Sequence, residues 1–135
     1  MRAFLSYLIA PIGGILAFLT VWSVPLLPYA DNGLHFFGQA WSLAATIVVP
    51  AFVLVLTLSL GVMFGVRARF GGAWWAAMGG GLLLYSAAFA LLAVRFGFGA
   101  MFADPFWVGG LVAGGLVHGL VFRAAVGPGR RPRSV

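Results

Sequence analysis

Apolar residues fill this chain in four long blocks, Ala3 to Val24, Leu43 to Val66, Ala73 to Val94 and Phe106 to Phe122, set apart by short stretches of polar residues, proline or glycine. Each block is close to the roughly 17 to 25 residues that carry a helix across a hydrocarbon core. Inside such a layer every backbone N–H and C=O must find its partner within the protein, which leaves the helix as the natural form of a span. The pattern predicts an all-α integral membrane protein, with four transmembrane helices in an up-down-up-down bundle. The blocks take up 85 of the 135 residues and leave no stretch long enough for a soluble domain with its own core. The expected organisation is one four-helix transmembrane domain over 1–125 and a basic cytoplasmic tail over 126–135. Arg2 ahead of an apolar run is also how a secretory signal begins. That run is longer than a signal's apolar region and no A-x-A site follows it, so the first block is expected to be a retained helix.

Residues placed at about 100° per position separate small side chains from large ones. In the first block Ala3, Ser6, Ala10, Gly13, Gly14, Ala17 and Thr20 oppose Phe4, Leu8, Ile12, Ile15, Leu19 and Trp22. In the third, Ala73, Ala76, Ala77, Gly80, Leu84, Ala87 and Ala88 oppose Trp75, Met78, Leu82, Tyr85 and Phe89. Lipid tails are as apolar as leucine, so helices associate through close approach over small residues, and the small faces are expected to point into the bundle. The second block gathers Thr46, Pro50, Thr57 and Gly61 into a narrow stripe. It reads as a kinked packing helix, because Pro50 cannot donate to Thr46 and crowds its carbonyl. The fourth block carries Gly110 with Gly114 on one side and Gly115 with Gly119 on another. Such a helix is expected to meet two neighbours, one within the chain and one from another subunit.

Composition agrees with this picture: 63% of residues are hydrophobic and 7% charged, far from the roughly 25% charged residues of soluble domains. The formal charge of +6 comes entirely from eight arginines against two aspartates. Its placement points away from nucleic acid. Arg2, Arg67, Arg69, Arg123, Arg130, Arg131 and Arg133 fall on one side of a four-span topology, and Asp31, Arg95 and Asp104 on the other. The positive-inside rule then puts both termini in the cytoplasm, as expected for a bacterial cytoplasmic (inner) membrane protein. Trp22, Tyr29, Trp41 and Trp107 on one side, with Trp74 and Trp75 on the other, match the aromatic belts of the two interfaces.

Candidate chemistry is sparse. With no cysteine there is no thiol nucleophile and no thiolate metal site. No carboxylate lies within a block, and no serine, histidine and acid share one depth, so the chain is not expected to be an enzyme. His118, in "GGLVAGGLVHGLVFR", is the one Asp, Glu, Lys, Arg or His within a block and by default the first functional candidate. It lies about 18 Å in from the outer end of its helix, whereas His35 falls in the first outer loop, so the two cannot hold one haem together. No cofactor is expected; haem could use His118 only with a ligand from a partner. The outer-side polar residues Asp31, His35, Arg95 and Asp104 make a poor metal set, and an Arg95 ion pair fits them better. Packing features are abundant and chemical ones scarce. The expected function is a small non-catalytic membrane subunit that packs with and stabilises or positions a larger membrane complex or its own oligomer. A small oligomeric channel or transporter is the alternative, with a haem- or quinone-binding subunit behind it.

Overall fold

The computed structural model describes residues 2–24, 33–97, 99 and 103–127, with side chains at all of these except 2, 3, 33–45, 47, 48 and 96. It is all-helical: α1 (Arg2–Ser23), α2 (Gly33–Phe70), α3 (Trp74–Phe96) and α4 (Pro105–Val126). All four contain a segment long and apolar enough to cross a membrane. Three of them run 22 or 23 residues, or about 33 Å at 1.5 Å per residue, close to the thickness of the hydrocarbon core.

The second helix departs from expectation. It starts at Gly33 and runs 38 residues, about 57 Å and well beyond the span predicted to begin at Leu43. "GLHFFGQAWSL" has no helix breaker apart from glycine, so the polar residues that ended the apolar block do not end the helix. His35 accordingly lies in the first turn of α2 and not in a loop.

Local chemistry sets the other ends. Asp104 is the N-cap of α4, its carboxylate accepting from the Phe106 N–H at 2.9 Å, with Pro105 at the first helical position where no N–H is needed. Gly97 closes α3 in the left-handed conformation, φ 74° and ψ 20°, its N–H donating to the Ala93 carbonyl. Gly71, at φ 69°, donates to the Arg67 carbonyl and turns the chain toward α3 within three residues.

Helix α4 packs against both α1 and α3, while α2 lies against α3 and, less extensively, α1. The two glycine pairs of α4 serve these two neighbours. A methyl group on Gly110 would stand 2.8 Å from the Phe18 ring, and one on Gly114 would stand 2.9 Å from the Gly14 carbonyl oxygen, both on α1. On the other side, one on Gly115 would meet Leu82 Cα at 2.8 Å, and one on Gly119 would run into the Ala77 carbonyl, both on α3. Both neighbours thus come from this chain. The expectation that one of these faces serves another subunit is corrected.

The division of small and large faces needs correction as well. Ser6, Ala10 and Gly14 on α1, and Ala76, Ala77, Gly80, Leu84 and Ala88 on α3, are buried. So are Ile15, Tyr85 and Phe89, which were expected to face lipid. Trp107, expected in the interfacial belt, is also in the core. An aromatic column fills the centre: Phe18 packs against Phe89 at 4.9 Å with the rings tilted by 37° and meets Trp107 edge-on at 5.0 Å, while Phe89 and Trp107 are 5.5 Å apart. Where glycines bring backbones together, the remaining gaps between four helices have to be filled by large side chains from the same faces, because an unfilled gap forfeits dispersion contacts.

On α2 the expected packing stripe points outward. Thr46, Thr57 and Gly61 are exposed and Pro50 is half-buried. A methyl group on Gly61 or Gly65 would meet nothing within 4 Å. The buried row is instead Ala51, Val55, Ser59 and Met63, which sit four residues apart on one face.

Candidate functional site

Three polar side chains from three helices meet in the middle of the bundle. Ser59 on α2 and His118 on α4 are fully buried, with Ser59 Oγ 3.3 Å from His118 Nε2. Tyr85 on α3, equally buried, presents its ring edge-on to the imidazole, the centroids 5.7 Å apart. Its hydroxyl donates to the Pro11 carbonyl of α1 over 3.5 Å. Tyr7, one turn before Pro11, donates to the Leu56 carbonyl of α2 at 2.6 Å. All four helices therefore contribute to one small polar region inside an otherwise apolar core.

Glycines make room for it. A methyl group on Gly114 would lie 2.7 Å from the Tyr85 ring, and one on Gly14 would collide with its hydroxyl. Tyr85 thus sits in a notch cut by one glycine from α1 and one from α4. Notch and ring hold the imidazole from one side while Ser59 holds it from another. The second ring nitrogen, Nδ1, has no hydrogen-bond partner, and neither does Trp107 Nε1. Whichever tautomer is present, one imidazole nitrogen is left over: a donor if Ser59 gives its proton to Nε2, an acceptor if Nε2–H gives to Ser59. That leftover group is the chemical capacity of the site. It lies on an atom closed off from the surface of the bundle.

The other sequence-derived candidates scatter. Gly13 lies beside Val117 and Val121 of α4, Gly80 beside Val66 and Met63 of α2, and Ala17 is half-buried. At the opposite end, Arg95 is exposed and Asp104 is engaged as a helix cap. Asp31 and the side chain of His35 lie outside the described residues. Among the described residues Arg95 has no acidic partner, so the expected ion pair is not formed there, and no three His, Cys, Asp or Glu side chains come together.

Arg123 was read only as a topology signal, yet it ties α4 to the turn between α2 and α3. Its Nε donates to the Gly72 carbonyl, and its guanidinium lies 4.8 Å over the Trp74 ring.

Ser59 and Tyr85 were missed as partners of His118, although the sequence held a signal for both. Ser59 and Tyr85 stand 11 residues from Phe70 and Trp74, the two ends joined by the short turn, and His118 stands 8 residues before Val126, depths of about 17 and 12 Å. A tyrosine so deep in a span needs a partner for its hydroxyl. Comparison of the chain with protein-family models, with curated proteins and with solved structures finds no match, so the functional reading rests on the geometry above.

Proposed function

We propose that this chain is a small non-catalytic subunit of a bacterial inner membrane, which packs with and stabilises or positions a larger membrane complex or its own oligomer. The outward face of α2 carries this reading. Only 22% of the most apolar window of α2 is buried within the chain, against 44% for α3 and α4. Along its exposed side, Thr57, Gly61 and Gly65 repeat every four residues with open space beside both glycines. In lipid, such a row gives a second helix the close backbone approach on which association depends. The same device already joins α4 to α1 and α3 inside the chain. The arginine distribution supports an arrangement with both termini in the cytoplasm.

Mass in mild detergent tests the proposal. The wild-type chain is expected in a particle larger than its own 14.2 kDa, after allowance for bound detergent. Gly61→Leu should release it as a folded monomer, because the leucine occupies space that is empty inside the chain. A wild-type monomer with no co-purifying protein, unchanged by Gly61→Leu, would overturn the reading.

The channel or transporter alternative draws on one observation, the unpaired nitrogen of His118 beside Ser59. Thr46 and Thr57 point away from that pair, so a hydroxyl-lined path would have to run between copies and not through one bundle. Flux into liposomes that Gly61→Leu abolishes would favour this alternative. Haem ligation through His118 would require a partner's ligand to enter the bundle, since the imidazole is fully buried.

A further inference from the structure

Between α2 and α3 lies an open groove of about 480 Å³, walled by Pro50, Val53 and Leu54 on one side and by Leu91 and Leu92 on the other. Arg95, one turn beyond Leu91 and one residue from the end of α3, completes its lining. The wall is apolar, and Arg95 is the one charged residue along it. Leu92 forms the floor at 4% exposure, while Val53 and Leu91 form open rims at 55% and 52%.

A trough of this kind in a membrane does not stay empty, because the side chains lining a void lose their dispersion contacts. An acyl chain running alongside the two helices has the right shape and polarity to fill it. The position of Arg95 sharpens the fit. It stands at the helix end, where the headgroups of lipids lie, and has no acidic partner among the described residues. Its planar fork of donors matches the oxygens of a phosphate.

We propose that this groove binds one anionic phospholipid, with an acyl chain along Val53, Leu54 and Leu91 and the phosphate on Arg95. A zwitterionic lipid would bring its own cation to the same place and gain less from the arginine. The groove lies between Pro50 to Leu54 and Leu91 to Arg95, its Val53 rim one turn beyond the Thr57 to Gly65 row of the partner face proposed for α2.

The test uses the full-length chain, delipidated in mild detergent and titrated with phosphatidylglycerol or phosphatidylcholine of the same acyl composition, with bound lipid read by native mass spectrometry. One phosphatidylglycerol should bind up to about fivefold more tightly than phosphatidylcholine, the ratio that corresponds to about 1 kcal/mol, the upper end for an exposed ion pair. Arg95→Gln should remove the preference while leaving phosphatidylcholine binding intact. Leu91→Trp, which fills the trough from an exposed position, should weaken both lipids alike. Circular dichroism verifies that both variants remain helical. Equal affinity for the two lipids in wild type, a preference that survives Arg95→Gln, or full binding in Leu91→Trp would overturn the proposal. So would capture of the groove by a second copy. The chain has no cysteine of its own, so that occupant would show as a disulfide between copies of Leu91→Cys, on the α3 rim away from the α2 partner row, that a comparably exposed Leu83→Cys does not form.

Discussion

Gly114 and Gly61 each belong to a small-xxx-small pair, yet they face opposite fates on substitution. At Gly114 a methyl group would sit 2.7 Å from the Tyr85 ring and 2.9 Å from the Gly14 carbonyl oxygen, and a backbone atom cannot swing aside. Gly114→Ala should therefore force α1 and α4 apart and cost about 1–3 kcal/mol, the usual range for overpacking. Gly61→Ala enters open space and should stay within about 0.5 kcal/mol. Thermal melts of the two variants in one detergent check both; equal losses would mean that α4 does not approach α1 as described. His118 has one partner and one unpaired nitrogen, which bounds its contribution to stability. His118→Gln should be tolerated, since the amide can reach Ser59. A double-mutant cycle between His118→Leu and Ser59→Ala should give a coupling of about 0.6 kcal/mol, the average for polar contacts between helices in membranes. A coupling near zero would mean that the Ser59–His118 bond does not form in the membrane.

At the scale of elements, the bundle is joined by two unlike devices. Tyr85 locks α3 into the notch between α1 and α4 by volume more than by hydrogen bonding, because its bond to the Pro11 carbonyl is long at 3.5 Å. Tyr85→Phe should cost well under 1 kcal/mol. Tyr85→Ala should cost about 3 kcal/mol, the low end for a buried aromatic, since the truncated site still faces an apolar unfolded reference. Arg123 works by direction: its Nε reaches the Gly72 carbonyl while the guanidinium lies over the Trp74 ring. Arg123→Lys retains the charge but loses the planar fork and the stacking. It should forfeit most of the roughly 1–2 kcal/mol lost in Arg123→Ala, and amide exchange at Gly72 and Ala73 should quicken in both variants. Exchange unchanged in Arg123→Ala would show that the turn is held by its own backbone bonds.

For the whole molecule, the proposed orientation follows from charge and is testable without purification. Reporter fusions after Gly71 and Val135 should read cytoplasmic and a fusion after Gly99 external, because seven of the eight arginines lie on the first side. Reversal at any one point would break the four-span arrangement. Of the four helices α2 is the least covered by the rest of the chain. Helix α2 buries one row, Ala51, Val55, Ser59 and Met63, and leaves the opposite row to lipid or to another protein.

The length and spacing of the apolar blocks determined the helical membrane class and the number of candidate spans, because hydrophobic length is set by bilayer thickness and not by neighbours. The glycines of α4 were legible for a related reason: four of them on two sides of one helix have no use in lipid except as contact faces. The partners of each face were not legible. Helical periodicity says which residues share a side and nothing about which side meets which helix. The α2 stripe was thus assigned inward when it faces out, and Tyr85 and Phe89 were assigned to lipid when they fill the core. In water, polarity would have separated the two sides of each helix. In a membrane both the lipid and the core are apolar, so only the three-dimensional fit of large side chains into glycine notches decides which face is inside.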